Sequence, residues 1–195
     1  MQHTNLILAS TSIYRKALLE KLAVPFTVLE PQCDEAPLTG ENAQQLVTRL
    51  AQKKAQSCRL DLAKTNIVIG SDQVCIIDDE IIGKPLNREN AVAQLSRSNG
   101  RSITFYTGIA VYNSTTNKCD VELDTFIVHF RKLSLSQIEN YVDKEQPFYC
   151  AGSFKSEGLG IALFERLEGS DPNSLIGLPL ITLINMLEKQ GITIL

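Results

Sequence analysis

The chain has 195 residues, with 19 lysines and arginines against 22 aspartates and glutamates, a formal net charge of -3, and 44% apolar residues. A domain of this length buries roughly 70% of the surface its unfolded chain exposes, so a sizeable core forms without disulfide or metal staples, and the composition excludes disordered, collagenous and coiled-coil classes. Near-neutral charge argues against a broad nucleic-acid-binding face, which needs clustered Lys and Arg; an anionic ligand would have to be met by a few placed cations.

In chain order, Asn5 to Ala9 reads as a strand. It is too short to be the core of a signal peptide. The polar turn Ser10-Thr11-Ser12 follows, then a helix with Ala17, Leu18, Leu19 and Leu22 at helical spacing and Ser12 as its N-cap. Phe26 to Glu30 predicts a second strand, and a loop through Pro31, Pro37 and Gly40 leads to a helix from about Glu41 to Leu60. On that helix Leu46 and Leu50 step by four, and the next member of the row is Lys54, so a lysine falls on the face meant for burial.

The β-branched run Asn66 to Gly70 predicts a short strand ending at Ser71-Asp72-Gln73, followed by a hairpin of Val74 to Ile77 and Glu80 to Ile82 around Asp78-Asp79. Asn87 caps a third helix that stops at Gly100. Ser102 to Asn113 and Val121 to Lys132 read as a second hairpin, joined by the polar stretch Ser114 to Asp120. Ser134 with Gln137, or Ser136 with Glu139, forms a capping box for a helix through Tyr141 and Val142. After the glycine-rich loop Gly152 to Gly160, a last helical region opens at Asp171-Pro172 and closes at Gly191, and Ile192 to Leu195 is expected to add a strand. One crossover unit combined with long hairpins implies a mixed α/β or α+β sheet rather than a doubly wound fold. No linker or repeat divides the chain, so residues 1–195 are expected to form a single domain. The longest apolar stretch near the C-terminus, Leu175 to Ile184, contains Gly177, Pro179 and Thr182 and falls short of a membrane span.

The five cysteines, Cys33, Cys58, Cys75, Cys119 and Cys150, show no metal-binding spacing and read as reduced packing residues of a cytoplasmic protein. The P-loop, dinucleotide-binding, zinc-protease and nucleophile-elbow motifs are all missing. Of two histidines, His3 lies near the terminus and His129 in an alternating strand, which argues against a serine-histidine hydrolase.

What remains is a set of polar residues at the ends of predicted elements. Ser10, Ser12 and Arg15 mark a strand-to-helix turn, where backbone N–H groups and a guanidinium fork suit phosphate oxygens, or where the helix is simply capped. Lys54 either snorkels to water or faces a negative charge, because an unpaired buried ammonium is costly. Asp72, placed after a strand, is either a ligand-facing carboxylate at a sheet edge or an Asx-turn. Lys84, in Gly83-Lys84-Pro85, ends the partner strand of that hairpin and is otherwise an ordinary turn lysine. Carboxylates at Asp34-Glu35 and Asp72 with cations at Arg15, Lys54 and Lys84 would suit a nucleoside triphosphate and its divalent metal, with Glu35 and Asp72 as candidate metal ligands. A positioned general base contributes roughly 10²–10⁴ in rate, far short of what phosphoanhydride hydrolysis within a second requires. A metal ion is expected to supply the rest.

Six motifs lie in order along nearly the whole chain: Ala9-Ser10-Thr11-Ser12-Ile13-Tyr14-Arg15, Asp34-Glu35, Leu50-Ala51-Gln52-Lys53-Lys54-Ala55, Gly70-Ser71-Asp72-Gln73-Val74, Gly83-Lys84-Pro85 and Ala151-Gly152-Ser153-Phe154-Lys155-Ser156-Glu157-Gly158. Together they resemble the Maf family of nucleoside triphosphate pyrophosphatases. The resemblance implies an elongated α/β mixed-sheet fold of the inosine triphosphate pyrophosphatase type, with two lobes around a cleft and often a homodimer. It also implies cleavage between the α- and β-phosphates with Mg²⁺, Mn²⁺ or Co²⁺, and Asp72 as the proton acceptor that activates water. Charge balance and the short apolar runs, for their part, predict no nucleic-acid polymer and no membrane as partner. Ser10, Arg15, Glu35, Lys54 and Lys84 then line the phosphate and metal region.

Within the family the sequence is most similar to the subgroup acting on 7-methyl-GTP, with Tyr14, Gln73 and Glu157 at the positions for base choice. The sister subgroup acting on dTTP and UTP carries arginine, threonine and glutamine there, and the typical methyl-GTP member carries tryptophan where this chain has Tyr14. A methylated guanine bears a positive charge that the face of Tyr14 can attract, and Glu157 suits its adjacent N1 and N2 donors. The alternatives are the same chemistry on other canonical or modified nucleotides, and a nucleotide-binding regulator of cell division.

Overall fold

The computed structural model describes residues 4–61 and 64–195; His3 lies outside the described residues. The chain divides into two compact units. One comprises Met1–Gln73, Thr107–Asp124 and Gly177–Leu195, the other Val74–Tyr106 and Thr125–Ile176.

The first unit begins with β1 (Thr4–Ala9), α1 (Ile13–Glu20) and β2 (Thr27–Leu29). β2 pairs parallel to β1, with Ile7 opposite Thr27. The other edge of β1 pairs parallel to β3 (Thr65–Ile77), from Thr4 opposite Thr65 to Ala9 opposite Gly70. Between them α2 (Ala43–Gln56) starts at a capping box in which Asn42 accepts from the Gln45 amide and the Gln45 side chain accepts from the Asn42 amide. Its buried row is Leu46, Val47, Leu50, Ala51, Lys54 and Ala55. β5 (Ser102–Asn113) and β6 (Lys118–Phe130) are joined by residues 114–117, a connection short enough only for antiparallel neighbours. α5 (Leu180–Lys189) completes the unit.

Small residues set the distance between α2 and the sheet. A Cβ on Gly70 would stand 2.2 Å from the Ala51 carbonyl oxygen, and one on Gly108 would stand 2.2 Å from that of Val47. Both contacts are with backbone, so only glycine lets the helix lie this close. Ala51 and Ala55 then pack with Ile7, Ala9, Val68 and Ala110.

In the second unit β4 (Glu80–Ile82) pairs antiparallel to the end of β3 around Asp78 and Asp79, which both take positive φ as the turn requires. α3 (Arg88–Ser98) is capped by Asn87, and α4 (Leu135–Glu145) by the Ser134–Gln137 box rather than the one at Ser136. β7 (Phe164–Glu168) pairs antiparallel to β6. Phe105, Phe130, Phe154 and Phe164 meet edge to face, with ring centroids 4.9–5.8 Å apart, in the core of this unit. The whole sheet has seven strands in the order β2-β1-β3-β5-β6-β7, with β4 beside β3. Parallel and antiparallel pairs coexist, as the mixed α/β reading expected.

Four sequence expectations are corrected. β3 does not stop at Gly70; it runs on through Ser71, Asp72 and Gln73 to Ile77, because those polar residues lie on a buried central strand. Residues Ile192 to Leu195 form no strand. The last helical region is two elements, a 3₁₀ turn at Pro172–Ile176 and α5, separated at Gly177 to Pro179 where glycine and proline break the ladder. Finally, β7 is a strand that alternation alone did not reveal, since Phe-Glu-Arg-Leu-Glu is short and largely charged. Among the described residues no helix is long and apolar enough to cross a membrane.

Candidate active site

The lysine on the apolar row of α2 is the centre of the site. Lys54 is buried, and its ammonium does not snorkel to water: Nζ donates to Asp72 Oδ1 at 2.7 Å and lies 2.8 Å from Glu35 Oε2. Local geometry explains the meeting. Side chains alternate along a strand, so Gly70 and Asp72 share a face of β3. That face is the one α2 covers through Ala51 and Ala55, and Lys54 lies on the same helix beside Ala55. Asp72 falls two residues beyond Gly70, the last partner of β1 on β3, so the carboxylate sits in a strand and not in an Asx-turn. Glu35 arrives from the irregular segment between β2 and α2.

The next residues extend the cluster. Ser71 points from the other face of β3, and its hydroxyl is within 2.9 Å of the Gly108 carbonyl and 2.8 Å of the Gly177 carbonyl. Arg15 donates from Nε to the same Gly177 oxygen at 2.8 Å. Burial lowers the pKa of Arg15, while the negative charges of Asp72 and then Glu35 oppose that shift. Two cations and two carboxylates thus belong to one electrostatic neighbourhood. Ser10 is buried after β1, and its Oγ accepts from the Ser12 amide at 3.1 Å; Ser12 Oγ in turn accepts from the Arg15 amide at 3.3 Å. These two N–H groups of the strand-to-helix turn are therefore engaged by side chains. Tyr14 is half-buried beside Arg15 on α1.

Not every expected residue joins. Gln73 alternates away from Asp72 and donates to Thr107 Oγ1 at 3.0 Å. Lys84 and Glu157 are both exposed and belong to the second unit. There Glu157 lies in a loop fastened by Glu145, whose carboxylate accepts from the Leu159 amide at 2.9 Å and pairs with Lys155 at 3.2 Å. His129 is a half-buried strand residue whose ring contacts Ser102 and Glu168. Sequence reasoning passed over Ser71 and Gly177, although Ser71 lies inside a quoted motif; a serine in a β-branched strand carries no signal until its partners are placed. It also missed Arg49, in the middle of α2, and Glu41, just before that helix, which form a bidentate pair.

Fold and site define an α/β protein with a lysine buried between two carboxylates and an arginine in the same field. Residues 5–190 match the family model described as Maf-like protein, and the chain belongs to the Maf family. It is 63% identical over 195 residues to a 7-methyl-GTP pyrophosphatase of Vibrio vulnificus (strain CMCP6), and 60% identical over 195 residues to one of Vibrio cholerae serotype O1 (strain ATCC 39315 / El Tor Inaba N16961). Each alignment covers 100% of both chains. Among solved structures, a HAM1 protein from Coxiella burnetii is 13% identical, with a TM-score of 0.49 over 96% of this chain and 100% of that one.

Proposed function

We propose that this chain hydrolyses the α–β phosphoanhydride of 7-methyl-GTP, releasing 7-methyl-GMP and pyrophosphate and so removing a modified nucleotide from the pool. Full-length relatives that bear the name 7-methyl-GTP pyrophosphatase support the reading. The single observation in the chain itself that carries it is Lys54, buried and held between Asp72 and Glu35.

In this reading the bond between a water oxygen and phosphorus forms as the bridging P–O bond breaks, and Asp72 accepts the water proton. Lys54, bonded to Oδ1, fixes the orientation of that carboxylate and supplies positive charge to the phosphates. Arg15 adds a second cation, with its Nε held by Gly177. Glu35 and Asp72 offer hard oxygen donors suited to Mg²⁺, Mn²⁺ or Co²⁺. Among the described residues no group of three or more His, Cys, Asp and Glu side chains could hold a metal; an ion held by these two carboxylates would take phosphate oxygens and water as its other ligands. When bound, the ion supplies neutralisation of charge that builds on the phosphates. The resemblance to the family, rather than any contact with Lys54 or Asp72, assigns Tyr14, Gln73 and Glu157 to base choice and Lys84 to the phosphates. The reading places the enzyme in the cytoplasm, where its five free cysteines stay reduced, and takes it as a homodimer.

The test is pyrophosphate release across a nucleotide panel with each of the three metals, for the wild type and Asp72→Asn. Turnover highest on 7-methyl-GTP, lost in Asp72→Asn with nucleotide binding retained, is the expected result. Binding of 7-methyl-GTP without release by the wild type would overturn the enzyme reading in favour of a nucleotide-binding regulator.

A further inference from the structure

Glu35 presents a problem of position. It reaches Lys54 at 2.8 Å, yet its side chain is 55% exposed and it sits in the long irregular segment between β2 and α2. An ion pair that exposed holds a side chain only weakly. The constraint comes from a second cation of α2, Arg49. Arg49 Nη2 donates to the carbonyl of Ala36, the residue after Glu35, at 3.1 Å. The same guanidinium makes a two-pronged pair with Glu41, through Nε to Oε1 and through Nη2 to Oε2 at 2.7 Å. Glu41 Oε2 also accepts from the Leu38 amide at 3.0 Å, and Asp34 Oδ1 accepts from the Ala36 amide at 2.9 Å. Glu35 is thus flanked by a turn closed at Asp34 and Ala36, and that turn hangs on Arg49.

From this arrangement we infer that Arg49 is a positioning residue for the reaction: with Glu41 it fastens the segment 34–41 to α2 and so holds the Glu35 carboxylate beside Lys54. The inference rests on the activity proposed above. Arg49 and Lys54 stand on one helix, so the backbone of α2 transmits the placement of the loop directly to the lysine it serves. The task needs a planar fork that grips a carboxylate with two parallel bonds while a further N–H reaches a carbonyl, and lysine has no such geometry.

The experiment uses the full chain as Arg49→Gln, Arg49→Lys, Glu41→Gln, Glu35→Gln and the double variant Glu35→Gln/Arg49→Gln. It reads kcat and KM for pyrophosphate release, and amide hydrogen exchange along the chain. Arg49→Gln is expected to lower kcat by about 10- to 100-fold, the range for residues that orient a group touching the substrate or metal. The double variant is expected to be no slower than the worse single variant, because both act through one carboxylate. Arg49→Lys should recover only part of the loss, and Glu41→Gln, which keeps the arginine, serves if Arg49→Gln fails to fold. Exchange should rise at residues 34–40 while the strands stay protected. Losses that multiply in the double variant, or kcat in Arg49→Gln within about twofold of wild type, overturn the role of Arg49. Unchanged exchange at 34–40 overturns it even if the wild type hydrolyses no nucleotide, an outcome that would separately sink the proposed activity.

Discussion

Replacing Lys54 by methionine tests whether the central contact is a buried pair. Methionine keeps an unbranched chain of similar reach and removes the ammonium. In the wild type the side chains of Lys54 and Asp72 are only 7% and 12% exposed, so the substitution leaves the Asp72 carboxylate out of water without its partner. Breaking a buried pair from one side costs about 3–5 kcal/mol. For a chain of this length each kcal/mol moves Tm by about 2–4 °C, so the fall expected is roughly 6–20 °C. Glu35, more than half exposed, returns to solvent and adds little. Adding Asp72→Asn to Lys54→Met replaces the stranded charge with a neutral amide, whose missing partner costs about 1–3 kcal/mol. The double variant should therefore be more stable than Lys54→Met, and lie within about 3 kcal/mol of wild type. Its activity should stay lost. Urea and thermal unfolding followed by circular dichroism near neutral pH, beside pyrophosphate release, separate the two effects. A loss under about 1 kcal/mol in Lys54→Met, or a double variant less stable than the single, would refute the reasoning.

Gly70→Ala should destabilise the first unit by about 1–3 kcal/mol or more and depress turnover, because its Cβ meets backbone atoms of α2 at 2.2 and 2.6 Å and the helix carrying Lys54 must shift. Thermal unfolding and steady-state rates check it. Glu157→Gln should shrink the preference for 7-methyl-GTP over dTTP by about 10- to 150-fold in kcat/KM, the worth of a charged hydrogen bond to the guanine edge; an unchanged ratio removes Glu157 from base recognition. Hydrogen bonding from Arg49 pulls the Glu41 carboxyl down from 4.5 to about 2 in the folded chain. Its contribution to stability is therefore complete above about pH 4.5 and is lost as pH falls toward 2. Tm of the wild type should drop more steeply than that of Glu41→Gln across that window, and parallel curves would deny the pair any such role.

Signals confined to a few residues were legible before any fold was known. The caps at Ser12, Asn87 and Ser134–Gln137 and the Asp78–Asp79 turn depend on bonds within four residues, which the chain makes whatever its tertiary context. So was the anomaly of Lys54, since a single helical row exposes it. The extension of β3 was not. Ser71, Asp72 and Gln73 read as the end of a strand, and only a neighbour on the sheet makes them continue it. β7 was hidden for the same reason, because its pairing with β6 supplies what its own residues do not.

Composition and spacing alone determined a mixed α/β chain with cations and carboxylates at element ends and one lysine out of place, and the order of its motifs determined the family. Tertiary structure alone decided which charges meet. Asp72 and Glu35 reach Lys54 because Gly70 and Gly108 leave room for α2 against β3 and β5, and because Arg49 pins the intervening loop. The two Lys54 contacts join residues 18 or more positions apart, whose proximity depends on how the helix and strands pack rather than on any local preference of the chain.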